Sequence, residues 1–122
     1  MKKAIILFGH GSREPRWVDP FEKLASHIRQ RNGTVEVRLA FLELMRPDLG
    51  DAAAELLTTG VQSIRVVPVF IGEGGHVRTD LPALIDRLRQ KHPAVAIECV
   101  PAVGEDDEVR DAVASYCLRD LP

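Results

Sequence analysis

The chain has 122 residues, which suits one domain and is enough to bury about two thirds of the surface that the unfolded chain would expose. Its hydrophobic content of 45%, charged content of 28% and formal net charge of -2 are ordinary for a globular protein and disfavour nucleic acid as the main partner. The apolar run at 4–8 is too short for a secretory or membrane-spanning segment, so we expect a cytoplasmic protein with no membrane partner.

The first half of the chain alternates between strand and helix patterns. Residues 3–8 form a continuous apolar strand, and Gly9-His10-Gly11-Ser12-Arg13 ends it. An amphipathic helix is expected over about 20–32, with Pro20 in its first turn. Residues 34–41 alternate apolar and polar side chains, which is typical of an edge strand. Pro47 opens a second helix that we expect to end near Gly60.

The second half continues the alternation. Residues 64–70 form an apolar strand that ends at three glycines within four positions, directly before His76. A helix is expected over 81–91, although Pro82 falls within its first turn, and a strand over 95–100. The last helix is expected over 106–118 with an apolar stripe buried against the sheet, formed by Val109, Ala112, Val113, Tyr116 and Cys117. We expect both cysteines, Cys99 and Cys117, to be buried thiols.

This order of elements predicts one α/β domain over residues 1–122. Right-handed crossovers fold such a chain into a three-layer α/β/α sandwich around a four-stranded parallel sheet. The first and third strands are apolar throughout, whereas the second and fourth carry charges, so the predicted strand order is 2-1-3-4. Because Pro68 cannot donate to the sheet, we expect a local irregularity there.

The candidate site lies where connections leave the sheet in opposite directions. In an open parallel sheet, ligands bind outside the carboxyl ends of the strands at this switch point. The residues just past the ends of strands one, three and two are His10, His76 and Glu43. Two imidazoles and a carboxylate suit the binding of a divalent metal or the transfer of protons. His27 and His92 are expected to be structural.

Charge is distributed unevenly among the loops at this edge. The loops after the first three strands carry arginines, whereas the loop after the fourth strand carries Glu105, Asp106 and Asp107. A basic rim on a chain of net negative charge predicts an acidic ligand near strands two, one and three. The arginines of this rim are Arg13, Arg16, Arg46 and Arg78.

The same motifs resemble a known family. The segments Leu7–Arg13, Phe41–Glu43 with Pro47, and Val67–Phe70, leading to Gly74-Gly75-His76 and Asp80-Leu81-Pro82, resemble the sirohydrochlorin chelatases, the class II chelatases of the cobalamin and siroheme pathways. The resemblance implies that cobalt or ferrous iron is inserted into sirohydrochlorin without an organic cofactor. It implies that His10 and His76 bind the metal and accept pyrrole protons, and it extends to Glu43 through the local motif alone. Larger members have two facing domains, so this chain resembles the small form, which works as a homodimer.

The residues fit that chemistry on their own terms. Neutral imidazole can hold a metal weakly and can also accept a proton near neutral pH. Imidazole and carboxylate accept cobalt, iron and nickel alike, so the sequence chooses neither the metal nor the pathway. The substrate carries acetate and propionate groups, which cationic side chains and loop amides can bind. We therefore predict substrate contacts from Ser12, Arg13, Arg46, Gly74, Gly75 and Arg78.

Two other functions remain open from the sequence. His10 followed by glycine after a first strand also suits phosphoryl transfer through a histidine, but that chemistry wants an arginine immediately before the histidine, and Gly9 stands there. A non-catalytic carrier of metal or tetrapyrrole, or a flavodoxin-like binding module, would use the same residues without turnover. The glycine run 72–75 matches neither standard nucleotide-binding pattern.

Overall fold

In a computed structural model, residues 1–75 and 77–122 are described in full and residue 76 by its backbone. Strands and helices alternate along the chain, with 3-10 turns at Pro15–Val18 and Val103–Glu105. No helix in the described part of the chain combines the length and the hydropathy needed to cross a bilayer. The strands are β1 (Lys3–Gly9), β2 (Glu36–Phe41), β3 (Ser63–Pro68) and β4 (Ala96–Cys99), and the helices are α1 (Asp19–Arg31), α2 (Leu49–Leu57), α3 (Gly75–Lys91) and α4 (Asp107–Leu118).

The sheet is parallel throughout, and its strand order β2-β1-β3-β4 confirms the predicted 2-1-3-4. Leu7 at the centre of β1 pairs with Leu39 of β2 on one side and with Val67 of β3 on the other. The prediction succeeded because the two central strands are largely apolar, with Arg65 as the one charged residue in the inner part of β3, whereas each outer strand carries charged residues, Glu36 and Arg38 in β2 and Glu98 in β4. The carboxyl ends of β1, β2 and β3 consequently meet at one edge.

The two faces of the sheet are covered to different extents. On one face, α2 and α3 cover all four strands, and Ile6, Ile64 and Val66 are completely buried there. On the other face, α1 covers only β1 and β2, where Phe21 and Ala25 pack on the sheet. The half of this second face that is formed by β3 and β4 therefore stays partly open, which is unusual because a parallel sheet is normally covered on both sides.

The predicted irregularity at Pro68 occurs as the end of β3. The strand was expected to continue to Phe70 but stops at Pro68, which pairs with Phe8 and has no N–H for a further ladder bond. The next donor, the Val69 N–H, donates to the Phe8 carbonyl at 2.8 Å. Pro68 thus marks the point where the chain leaves the sheet toward the glycine loop.

Helix α3 begins six residues earlier than expected, at Gly75 instead of Leu81. The apolar pattern placed the start at Leu81, and Pro82 made that start uncertain, since proline removes a helical donor and crowds the preceding turn. In the structure Pro82 lies inside the helix at an exposed position. The buried side chains of Val77, Leu81, Ile85 and Leu88 hold the helix on the sheet across this defect. The early start places residue 76 in the first helical turn.

The expected burial of α4 is wrong. The predicted helix bounds are correct and Asp106 caps the helix through the Val109 N–H at 3.2 Å, but past the half-buried Val109 every residue of α4 is exposed. Tyr116 and Cys117 were expected in the core and lie in solvent instead, while Cys99 is half-buried. Periodicity showed that the helix has an apolar face, but not where that face packs.

Candidate functional site

His10 and Glu43 stand next to each other because the parallel ladder continues past the strand ends. The Leu42 N–H donates to the Gly9 carbonyl at 2.9 Å, and the Glu43 N–H donates to the His10 carbonyl at 3.1 Å. These two bonds extend the pairing of β1 with β2 by two residues beyond Phe41. The backbone therefore fixes the two candidate side chains on adjacent strand ends, as the sequence predicts.

Gly11 permits this close approach. Its φ of +102° lies in a region that L side chains rarely adopt, and an added Cβ would stand 1.8 Å from the Glu43 carbonyl oxygen. The site therefore depends on the absence of a side chain at position 11. Gly9 is constrained as well, because a Cβ there would meet the Phe21 ring at 2.7 Å. Aromatic rings thus fill the space that a side chain at position 9 would occupy. The arginine that phosphoryl transfer through His10 would require does not fit there.

The imidazole of His10 is bound to the carboxylate of Glu43. The distance between His10 Nε2 and Glu43 Oε1 is 3.0 Å, and the side chains remain 45% and 44% exposed. With Nε2–H donated to the carboxylate, the imidazole is held in one orientation and the lone pair of the neutral ring lies on Nδ1. The carboxylate would also stabilise the imidazolium that forms when a proton arrives.

The loop after β3 brings the backbone of residue 76 to the same edge. Since β3 neighbours β1, the N-terminus of α3 follows the strand end next to His10. The side chain of His76 lies outside the described residues, so its predicted role stays a prediction. Gly74 is the N-cap of α3 and Gly75 its first residue, and an added Cβ at either would meet nothing within 4 Å. The chain itself does not require glycine at these two positions, in contrast to Gly11.

Gly104 contacts the beginning of this loop. Its N–H donates to the Phe70 carbonyl at 2.9 Å, and its Cα packs so closely that a Cβ would lie 1.8 Å from the Ile71 carbonyl oxygen. The Phe70 ring meets the Phe8 ring edge-on at 6.2 Å. Phe70 and Ile71, the second and third residues of the loop, therefore lie between β1 and the turn after β4.

The predicted substrate-binding side chains fall into two groups. Arg13 in the loop after β1 and Arg78 in the first turn of α3 are both exposed beside the site, and no described side chain pairs with either of them. Arg46 instead binds Asp51 and Asp48, the two acids that form the capping box of α2. The hydrogen bond from the Arg46 guanidinium lowers the pKa of the Asp51 carboxyl. The geometry supports Arg13 and Arg78 more than Arg46.

Ser12 contributes to the shape of the loop after His10. Its hydroxyl oxygen accepts from the Glu14 N–H at 3.0 Å, and the Glu14 carboxylate in turn accepts from the Arg16 N–H at 3.3 Å. These bonds fold the loop into the 3-10 turn before α1. The Ser12 hydroxyl keeps its own proton to donate, so its predicted contact with substrate remains compatible with this arrangement.

Two apolar residues at this edge were not predicted as site residues. Leu44 follows Glu43 with a φ of 68°, which is rare for a leucine, and its side chain is 53% exposed. Ile71, in the loop after β3, is 76% exposed. They lie at the ends of β2 and β3, two strand spacings or roughly 10 Å apart, with β1 and His10 between them. A large aliphatic side chain within a loop motif is the signal that could have identified them.

The described part of the site is open to solvent, since the His10 and Glu43 side chains are 45% and 44% exposed. A cavity of about 380 Å³ lies between α3 and β4 and is lined by neither of these two residues. Among the fully described side chains, no group of three or more His, Cys, Asp or Glu could hold a metal ion.

Comparisons with known structures agree with this fold and edge. A CbiX protein of cobalamin biosynthesis from Marinobacter aquaeolei VT8 superimposes with a TM-score of 0.83 at 33% identity, covering 98% of this chain and 97% of that one. The SirB protein from Bacillus subtilis, in a structure with Fe3+, gives a TM-score of 0.81 at 28% identity over 100% of this chain and 49% of its own. The chain thus matches one half of the longer protein.

Sequence relatives point the same way. A sirohydrochlorin cobaltochelatase from Methanosarcina acetivorans is 37% identical over 84 residues, which are 69% of this chain and 65% of the relative. Another from Saccharolobus solfataricus is 30% identical over 90% of this chain and 89% of the relative. The match spans just under two thirds of the length of the first of these relatives. The model of the CbiX family matches residues 4–118, and the chain therefore belongs to the CbiX family.

Proposed function

We propose that this chain is a chelatase that inserts a divalent metal, cobalt or ferrous iron, into sirohydrochlorin. The observation that carries the proposal is the His10–Glu43 pair, held by backbone bonds at the switch point of a CbiX-family sheet. Support for the substrate comes from the relatives that are sirohydrochlorin cobaltochelatases. Support for the metals comes from SirB structures with Fe3+ and with cobalt.

Metal insertion exchanges one cation for two pyrrole protons without a change of oxidation state, so the proposed reaction needs no organic cofactor. His10 accepts a proton at Nδ1 while Glu43 holds Nε2–H, and solvent at the half-exposed pair then takes the proton away. The same nitrogen binds the incoming metal before insertion. A second proton acceptor is required, and we assign it to His76, whose backbone stands at the end of the neighbouring strand.

The surroundings of this pair suit a broad, flat ligand with an acidic rim. Leu44 and Ile71 present apolar surface on either side of His10, and the open glycines 74 and 75 let a macrocycle approach the first amides of α3. Arg13 and Arg78 supply cations for peripheral carboxylates. Because the edge is open, a second copy of the chain facing it would complete the cavity, and we propose a homodimer as the working form.

The test is metallation of sirohydrochlorin by Co2+ and by Fe2+, followed through the visible absorption of the macrocycle. We expect a rate above the spontaneous reaction with the wild-type protein. Replacing His10 by Ala should lower kcat by about a hundredfold or more, since general base catalysis contributes on the order of 10²–10⁴. Glu43→Gln keeps the size of the side chain and should lower kcat by about tenfold, in the range expected for the partner that orients a ligating histidine.

His27→Ala is the matched control, because this exposed histidine on α1 lies away from the edge. It should keep the wild-type rate. A protein that binds Co2+ but gives no acceleration would be a carrier, and the chelatase proposal would then be wrong. If the His10→Ala/His76→Ala double variant keeps full activity, the protein is a chelatase but these two histidines are not part of its mechanism.

A further inference from the structure

The cavity between α3 and β4 lies beside the glycine loop, on the face of the sheet away from α1. Its volume is about 380 Å³, and neither member of the His10–Glu43 pair lines it, so the proposed chemistry does not account for it. Most of its walls are aliphatic and come from α3 and from the segment at the end of β4. These wall residues are Leu81, Pro82, Ile85, Val100 and Pro101.

Three of the described residues that line the cavity are charged, and two of these are paired with each other. Arg89 Nη1 lies 3.6 Å from the Asp86 carboxylate, and Arg89 Nε donates to the Ile97 carbonyl at 3.0 Å. The third charged residue, Glu73, belongs to the loop after β3 and is half-buried, and no described side chain pairs with it. The cavity therefore holds one negative charge that the described part of the chain does not neutralise.

The thiol of Cys99 indicates that this charge faces the cavity. Cys99 is half-buried at the end of β4 and lines the same space as Glu73. Burial raises the pKa of the thiol, and the negative charge of Glu73 raises it further, whereas Arg89 acts in the opposite direction. The field of Glu73 therefore reaches across the cavity from the loop to β4, although an arginine lines the same space.

We propose that this cavity binds a small organic cation, an ammonium group on an aliphatic chain. The ammonium pairs with the Glu73 carboxylate, and the chain lies along the aliphatic walls. A carboxylate ligand is repelled by Glu73, and a neutral ligand leaves that half-buried carboxylate without a partner. A divalent metal is a poorer occupant, because hard cations require several oxygen ligands and most of these walls are carbon. The proposal does not depend on the metal chemistry.

The first experiment measures the charge preference of the cavity, with Cys99 as the reporter. The wild-type protein reacts with the cationic aminoethyl methanethiosulfonate and with the anionic sulfonatoethyl methanethiosulfonate. Trypsin cuts at Arg110, so mass spectrometry of the peptides separates Cys99 from the internal control Cys117, which is exposed on α4. The ratio of the two rate constants at one cysteine cancels its pKa and reports the local charge. This preference for the cation should be about tenfold larger at Cys99 than at Cys117.

Glu73→Gln tests the assigned carboxylate, because it removes the charge and keeps the size of the side chain. The ratio at Cys99 should then fall to within about twofold of the ratio at Cys117. The matched control is Glu105→Gln, which removes one exposed carboxylate from the turn after β4 that does not line this cavity. It should keep the wild-type ratio, and circular dichroism checks that both variants are folded.

The second experiment tests the class of ligand with hexylammonium as the probe. Iodoacetamide, a neutral reagent, labels both cysteines, and a guest in the cavity should slow the labelling of Cys99 alone. Half-protection should occur at hexylammonium concentrations on the order of a millimolar, as expected for a ligand of this size. Hexanol and hexanoate have the same chain and should need at least about tenfold higher concentrations. Glu73→Gln should abolish the advantage of the cation.

The possible outcomes decide the assignment. A ratio at Cys99 that equals the ratio at Cys117, or that Glu73→Gln leaves unchanged, overturns the uncompensated charge. A Glu105→Gln variant that loses the preference as fully as Glu73→Gln overturns the role of Glu73. If hexanol protects Cys99 as well as hexylammonium does, or if Cys117 is protected equally, the cavity does not select an organic cation. None of these measurements uses a macrocycle or a metal, so the metallation assay decides the chelatase activity separately.

Discussion

Replacing Gly11 by Ala should separate the geometry of the site from its chemistry, because every group that we assign to catalysis remains present. The added methyl carbon would lie 1.8 Å from the Glu43 carbonyl oxygen, more than an ångström inside the closest approach of about 3.0 Å. The His10 loop and the Glu43 loop must therefore move apart. The hydrogen bond between the Glu43 N–H and the His10 carbonyl, at 3.1 Å, and the side-chain pair at 3.0 Å should both lengthen.

The magnitude has two parts. A non-glycine residue at a φ of +102° costs about 1–3 kcal/mol of folding free energy, which lowers Tm by roughly 4–10 °C for a domain of this size. A displacement of about 1 Å at a catalytic group lowers kcat by on the order of a hundredfold. We therefore expect a moderate loss of stability together with a large loss of metallation rate.

Gly60→Ala is the control that isolates backbone strain. Gly60 has a φ of +83°, but a Cβ there meets nothing within 4 Å, and it lies at the end of α2 away from the site. This variant should lose a similar amount of stability and keep the wild-type kcat when both are measured well below Tm. If Gly11→Ala keeps kcat within about twofold of wild type, the contact between His10 and Glu43 does not set the rate and our reasoning about the site is wrong.

Three further predictions concern the loop, the rim and acid stability. Gly75→Ala should raise the free energy of unfolding by about 0.5 kcal/mol, because alanine suits a helix better than glycine. If a macrocycle approaches this backbone, the same substitution should raise KM severalfold. An unchanged KM would exclude that approach. Arg78→Gln should raise KM by about threefold to tenfold, and this increase should depend on salt concentration. The control Arg119→Gln, at the far end of α4, should leave KM unchanged. Steady-state metallation at two salt concentrations measures both effects. The pKa of Asp51 is lowered chiefly by its hydrogen bond from Arg46, so its contribution to stability is complete above about pH 5 and is lost as the pH falls below the ordinary value of an aspartate. The difference in urea unfolding between Asp51→Asn and wild type should accordingly be largest at pH 7 and should shrink as the pH falls below about 4; a difference that does not change with pH would refute the ion pair as the cause.

The strand order followed from the sequence because burial leaves a direct mark on composition. A strand between two others in a parallel sheet is buried on both faces and therefore carries few charges: 4–8 has none, and 64–70 has only Arg65. Helix ends were harder to predict. Pro82 suggested a late start for α3, but the free energy from burying Val77 and Leu81 outweighs one lost donor, and this tertiary term has no local signature. The exposure of α4 was missed for a related reason, since its stripe looks the same whether its own sheet or another surface covers it.

The site was predictable as far as topology determines it. His10 and Glu43 meet because their strands are neighbours, which the strand order alone implies. The involvement of Arg46 with Asp48 and Asp51 could not be inferred, because the capping box that attracts it depends on where α2 begins. Nor could the sequence show which glycines are required. Gly11 and Gly104 are forced by contacts with backbone carbonyls from distant segments, whereas Gly74 and Gly75 are not.

The contact of Gly104 with the loop at Ile71 also has a thermodynamic consequence. The turn that carries Gly104 is bonded to Arg110 at the start of α4, so the position of that helix and the position of the glycine loop are mechanically connected. Coupling of this kind is reciprocal: whatever factor the pairing of two copies contributes to ligand affinity at the loop, the ligand must return to that pairing. The dissociation constant of the proposed dimer, measured with and without a macrocycle bound, would therefore report on the occupancy of the site.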